Sequence, residues 1–342
     1  MEKYSQYRDR GTGVAPFFPV PTESSKLALP FHFFLFACRV PLLFTAGAVY
    51  FLLLSWLPVG SFVRKAALWL MLGIPGVWWI DLQIDGVKRG SLAKQDKKRL
   101  PHGGTIIASS FTSPLDALYL AAIFDPIFTI SYPSTRLVQR VTCFGAILHA
   151  LTPPSGAPPP NATLVPLAKV IAQNPDTSIV VFPECTTTNG RGILPFSPSL
   201  LTIPAKTKIF PISLRYTPAD VTTPVPGTHF KFLWNLCSKP THCIRVRIAE
   251  ATFNTAGFKL EVPSVSTGRD HSPQPGSRIT SNAFEGTPLG EGISEYAELN
   301  SEEKKVLDRV GEDLARLGRV KRVGLGVKEK SDFVRVWTKR RR

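Results

Sequence analysis

The chain has 342 residues, 44% of them hydrophobic and 19% charged, with a formal net charge of +16. That apolar content weighs against a disordered chain, and the length allows one large domain or two smaller ones. Five scattered cysteines, an odd number with no Cys-x-x-Cys pair, argue against a disulfide framework or a zinc site and read as reduced thiols on the cytosolic side.

Residues 1–38 form an N-terminal segment carrying Lys3, Arg8, Arg10 and Lys26. The run 40–57 (VPLLFTAGAVYFLLLSWL) holds no charge and has about the minimum length of a bilayer span. A second apolar run, 66–80, is interrupted by Pro75 and is short, which suits a re-entrant or interfacial helix. Trp56, Trp69, Trp78 and Trp79 lie near the ends of these runs, where amphipathic rings favour the headgroup level. Residues 39–80 are therefore predicted as membrane-anchoring helices. A cleaved signal peptide competes, with Ala46-Gly47-Ala48 as cleavage site, but a long segment precedes the run and the run continues beyond Ala48. A buried core helix is the other alternative. Basic residues flank the first run on both sides, including Arg64 and Lys65, so a span and a hairpin dipping into one leaflet both stay open.

From 81 to 255 short β-rich apolar runs alternate with helical patterns, which predicts an α/β domain. Strands are expected at 83–87, 105–108, 128–131, 178–182, 208–214 and 243–249, and a helix at 164–173. Pro153–Pro160 (PPSGAPPP) reads as a stiff loop. Residues 256–298, rich in Ser, Pro, Gly and Thr, read as a disordered linker. In 299–342 a helix is expected over 301–317 from the spacing of Val306, Val310, Leu314 and Leu317, with Gly318 as its stop. A basic tail follows, with ten Lys/Arg against Glu329 and Asp332 from residue 319 onward, half the net charge. Such a tail fits nucleic acid or an anionic membrane; beside an apolar anchor, anionic lipid is the simpler partner and nucleic acid is not expected.

Two blocks carry chemistry. In Ser110-Phe111-Thr112-Ser113-Pro114-Leu115-Asp116 a strand hands over to a helix, with Ser113 suited to the N-cap, Pro114 to the first position and Asp116 to a capping box. Strand ends followed by helix N-termini are also where α/β folds bind ligands and anions, so Asp116 and Ser113 have a functional reading beside the architectural one. In Phe182-Pro183-Glu184-Cys185-Thr186 a carboxylate follows an apolar strand directly; this is costly unless Glu184 serves a site or caps a loop.

The blocks resemble the paired signatures of the glycerolipid acyltransferases, Asn-His-x-Ser-x-x-Asp and Phe-Pro-Glu-Gly-Thr. Cys143–Leu148 (CFGAIL) resembles the second block of that family and Ile209-Phe210-Pro211-Ile212-Ser213 the fourth. The opening MEKYSQYRDRGTGVAPFFP and the basic end are similar to the fungal lysophosphatidic acid:oleoyl-CoA branch. The resemblance implies a mixed sheet flanked by helices behind an N-terminal membrane-anchoring segment. It implies acyl transfer from acyl-CoA to lysophosphatidic acid or another lysolipid, with no cofactor beyond that co-substrate and no metal. Asp116 and Glu184 stand at catalytic positions; Phe111, Thr112, Ser113, Gly145, His149, Pro183, Cys185 and Thr186 stand at substrate-binding ones. The branch implies the endoplasmic reticulum membrane or lipid droplets, with the domain facing the cytosol.

Three positions depart from the family pattern. Phe111 replaces the histidine that takes the acceptor's proton, a loss typically worth about 10²–10⁴-fold in rate. Cys185 replaces a glycine; its thiol reads either as an acyl carrier or, more simply, as a small apolar filler. Thr187 replaces a phosphate-binding arginine, for which Arg136, Arg140 and Arg191 are alternative donors. His102 lies on the order of 20 Å away along a strand rising about 3.3 Å per residue, so His149 is the better substitute base. Glu184 is a weak base at its ordinary pKa unless burial raises it. A catalytically silent relative that binds lysolipid or acyl-CoA and recruits partners is the alternative reading.

Overall fold

The structure is a computed structural model describing residues 2–21, 26–57, 60–87, 99–256 and 299–339. The linker expected at 256–298 lies, but for its first residue, outside the described residues. In chain order the first elements are α1 (Leu29–Ala48), α2 (Ser61–Gly73), β1 (Val77–Ile84), β2 (Ile106–Ser109), α3 (Pro114–Phe124), β3 (Ile127–Ser131), β4 (Val138–Val141) and α4 (Cys143–Leu151). Then follow β5 (Leu164–Val165), α5 (Leu167–Gln173), β6 (Ile179–Val181), β7 (Gly192–Ile193), β8 (Lys208–Thr217), α6 (His229–Ser238), β9 (His242–Ile248) and β10 (Thr252–Phe253). The chain closes with α7 (Ser301–Gly318), β11 (Lys321–Arg322) and α8 (Val327–Lys339).

Eight strands form a mixed sheet in the order β1-β9-β8-β2-β6-β3-β4-β5, with β10 added against β8. Its centre, β8-β2-β6-β3, is parallel, and both flanks are antiparallel except for the parallel β1–β9 pair at one edge. Alternate residues face opposite sides, as strand geometry requires. Ile107, Val180 and Phe210 join a core with α2, α3, α4 and α6, whereas Ile106, Ile179 and Ile209 join a second core with α5 and α7. A third, aromatic cluster unites the chain's two ends: Tyr4, Tyr7 and Phe17 pack on Phe333, with Leu194 and Val323 beneath.

α1 continues as a π-helical turn, Val49–Leu54, giving one helix of 26 residues that is long and apolar enough to cross a membrane. It does not stand clear of the domain. Arg39, at its middle, donates to the carbonyls of Cys237 (3.4 Å) and Pro240 (3.0 Å) around the end of α6, and His32 Nδ1 meets Ser238 O at 2.6 Å. The second predicted anchor is corrected. Residues 66–80 are not one helix: α2 ends at Gly73, the chain turns through Pro75 and Gly76, and Trp78 and Trp79 lie in edge strand β1. Gly76 has φ +87°, and a Cβ there would lie 2.4 Å from Pro240 O, so the turn is reserved for glycine.

The chain end is also corrected. Residues 320–339 are folded rather than a free tail: β11 pairs with β7, and α8 packs on the N-terminal segment. Among its basic residues Arg322 pairs with Asp308, Arg335 pairs with Asp332, and Lys330 is buried.

Candidate functional site

The two motif blocks leave adjacent parallel strands at the same end. Ala108 of β2 is level with Val181 of β6, so Ser109 onward and Phe182 onward emerge side by side. The loops then interlock. Phe111 N–H donates to Glu184 Oε1 (3.3 Å), Thr188 N–H donates to Phe111 O (3.0 Å), and Leu194 N–H donates to Glu184 Oε2 (3.1 Å). The next amide, Thr112 N–H, donates to Asp116 Oδ2 at 2.6 Å. Two consecutive amides thus hold the two carboxylates at the same end of the sheet.

Asp116 completes the predicted capping box of α3: Ser113 N–H donates to Oδ2 (2.9 Å), and Ser113 Oγ accepts from Leu115 N–H (3.3 Å). Its other oxygen accepts from Tyr216 Oη (2.5 Å), and it contacts no imidazole among the described residues. The carboxyl is fully buried, which raises its pKa to about 6 against the opposing pull of these donors. Burial raises Glu184 further, to about 8; its two backbone donors and the Lys330 charge pull the other way, and the Asp116 charge adds to the rise.

Phe111 is completely buried and stacks with two rings: Phe182 at 4.4 Å between centroids, and His149 at 5.7 Å with the rings 11° apart. His149, on α4, is partly buried, whereas Asp116, Glu184 and Lys330 are fully buried. Its Nε2 lies 3.2 Å from Cys185 O, an acceptor, so Nε2 carries the proton and Nδ1 is the basic nitrogen. Burial holds its pKa down to about 4 and keeps the ring neutral at physiological pH.

Cys185 has φ +58°, the left-handed region in which glycine is at home. The family's glycine at this place is thereby explained. Here a side chain accepts strain on the order of 1 kcal/mol. Its thiol is buried and directed at Pro183 O (3.5 Å), as a small filler would be.

Of the sequence-predicted residues, Phe111, Thr112, Ser113, Asp116, His149, Pro183, Glu184, Cys185 and Thr186 come together. Gly145 stands apart, one turn before His149, where a Cβ would press on Val141 at 3.2 Å. Of the proposed phosphate donors, Arg136 is committed to Glu303 of α7 (2.7 Å), and Arg140 lines an open groove of about 470 Å³ with Tyr50, Asp125 and Cys143. His102 sits before β2, at the opposite strand end, bonded to Leu100 O.

Three contributors escaped the sequence reading. Tyr216 reaches Asp116 from β8. Asn189 ties the second loop to the N-terminal segment, its Nδ2 donating to Ala15 O (2.8 Å) and Phe18 O (2.9 Å). Lys330 of α8 donates to Thr186 Oγ1. Its position was legible: Val327, Lys330, Phe333 and Trp337 recur at helical spacing, which places the lysine on an otherwise apolar face.

Fold and site define a mixed α/β protein whose two motif loops interlock at neighbouring strand ends around two buried carboxylates. A Schizosaccharomyces pombe protein named "Putative lysophosphatidic acid:oleoyl-CoA acyltransferase" is 30% identical over 237 residues, 66% of this chain and 77% of its own length. "Lysophosphatidic acid:oleoyl-CoA acyltransferase 1" of Saccharomyces cerevisiae is 27% identical over 257 residues, 70% of this chain and 80% of its own length. No protein-family model matches the chain. The chain belongs to the glycerolipid acyltransferase family, with the fungal lysophosphatidic acid:oleoyl-CoA acyltransferases as relatives.

Proposed function

We propose that the protein transfers a fatty acyl group from acyl-CoA to lysophosphatidic acid or a related lysolipid at a membrane surface. The observation that carries this reading is the interlocking of the Phe111 and Glu184 loops at one sheet end. His149 Nδ1 takes the proton of the acceptor hydroxyl; the oxygen attacks the thioester carbonyl; the C–S bond breaks and the CoA sulfur recovers the proton. At a pKa of about 4 the imidazole is a neutral but weak base, so positioning of the two substrates supplies much of the acceleration. α4 and α8 also wall an apolar groove of about 650 Å³, through Leu148, Leu151, Val334 and Thr338, a volume that suits an acyl chain. The endoplasmic reticulum or lipid droplet surface, with the domain on the cytosolic side, is the location this reading assigns, and the apolar α1 and its exposed phenylalanines support membrane attachment.

The test is oleoyl transfer to several lysolipids by the full chain in lipid–detergent micelles, with His149→Gln beside the wild type. Turnover that falls about 10²–10⁴-fold in the variant supports the reading. The sealed burial of Phe111, Asp116 and Glu184 favours a second reading, a silent relative that binds lysolipid or acyl-CoA. Binding of either ligand without turnover, in wild type and in Phe111→His alike, selects it.

A further inference from the structure

A lysine inside a protein is costly unless its ammonium is fully partnered. Lys330 is 1% exposed, and all three of its donors are engaged: with Thr186 Oγ1 (2.9 Å), Thr187 O (2.6 Å) and Thr187 Oγ1 (3.0 Å). An apolar side chain would dock α8 as well, as Phe333 does one turn on, so docking alone does not call for an ammonium here. The oxygens it meets belong to the turn immediately after Glu184. In that turn Thr186 N–H donates to Glu184 O (2.7 Å), and Thr188 N–H reaches across to Phe111 O. Thr187 Oγ1 in turn donates to Thr223 O (2.7 Å), so the ammonium sits at the junction of three loops.

We propose that Lys330 is a positioning residue for acyl transfer, its ammonium locking the 184–188 turn so that Glu184 stays bonded to the Phe111 loop. The proposal rests on the acyl-transfer reading. The charged and titratable neighbours of this turn include Glu184 itself, Asp116 from α3, His149 from α4 and Lys330 from α8; burial pulls the Lys330 amine down to about 7 against the Glu184 charge, and the protonated form lowers the proton affinity of both Glu184 and His149. No phosphate-binding role is assigned to Lys330, because its donors are all used.

The experiment compares full-length Lys330→Met with Phe333→Leu, which loosens the same helix without touching Thr186 or Thr187. Turnover of oleoyl-CoA with lysophosphatidic acid is measured well below the melting temperature of each. Lys330→Met is expected to lower kcat by about 10–100-fold with KM values changed less than about threefold, whereas Phe333→Leu keeps kcat near wild type. Loss of kcat in both variants in proportion to their lost melting temperature overturns the proposal, as does an unchanged kcat in Lys330→Met. Hydrogen exchange of the 184–188 amides judges the lock without any turnover: it should rise at least about tenfold in Lys330→Met and not in Phe333→Leu. Should Lys330→Met fail to fold, Thr187→Val removes one partner of the ammonium and is expected to raise the same exchange. Unchanged exchange overturns the lock; a wild type with protected amides and no turnover removes the acyl-transfer reading and leaves the lock standing.

Discussion

Phe111 occupies the place to which the motif resemblance assigns a base, and its surroundings have been built for a ring that never meets water. Phe182 and His149 stack with it, and the backbone around it holds both carboxylates. Phe111→Ala should cost about 3–5 kcal/mol in urea unfolding, the usual range for a buried phenylalanine; a cost below 1 kcal/mol would mean that the stack contributes nothing. The same stack sets the behaviour of His149. Its folded pKa of about 4 lies below the ordinary histidine value, so acid penalises the native state: stability from this group falls as pH drops from about 6.5 through 4. The contribution of the neutral ring to activity should rise through about pH 4 and be complete above about pH 5. Carbon-13 NMR of the histidine rings checks this directly, since a midpoint near 6.5 would place water against His149. The sequence named His149 as a substitute base through the motif resemblance, but its stacking on Phe111, 38 positions away, was not legible.

Elements differ in how plainly they announce themselves. The central strands β2, β3, β6, β8 and β9 were legible because their apolar runs are bounded by turns. The capping box of α3 could be read residue by residue. β5, β7, β10 and β11 are two-residue ladders, too short to show a period, and β4 (VQRV), one strand in from the sheet edge, has only two apolar residues. β1 was misplaced because Val77–Ile80 is as apolar as the helix before it, and only Gly76 divides them. α7 was expected to stop at Gly318; the left-handed cap is Arg319, at φ +49°, and the last carbonyls of the helix are taken up by Arg247 at Leu317 and Arg215 at Gly318. At its start Asn300 and Glu303 form a second capping box, which sequence reading passed over. Asn300→Ala should lower stability by about 1 kcal/mol, measured by chemical denaturation. An unchanged midpoint would show that the Arg136–Glu303 pair alone secures the helix start.

Across the whole molecule, apolar surface is concentrated on one set of elements: Phe33, Phe34, Phe44 and Leu52 of the first helix, Phe62 and Leu70 of α2, Trp78 and Trp79 of β1, and Phe230 of α6 are all exposed. Attachment through such a face depends on area rather than charge. The protein should therefore stay on phosphatidylcholine vesicles in about 1 M salt, where the screening length is about 3 Å. Release by salt in a flotation assay would return the task to the basic chain end. That end was misread because a count of positive charges cannot distinguish a solvated tail from a helix that carries one of its lysines inward, whereas the spacing of Val327, Lys330, Phe333 and Trp337 can. Chain order separates mooring from completion. α1 leaves the ribosome early and is free to seek lipid while α8 is still unmade, and the turn beside Glu184 receives its ammonium only when α8 folds back. In the proposed acyl-transfer reading, maturation runs from anchor to reactive loop, because the last helix made completes the turn beside Glu184.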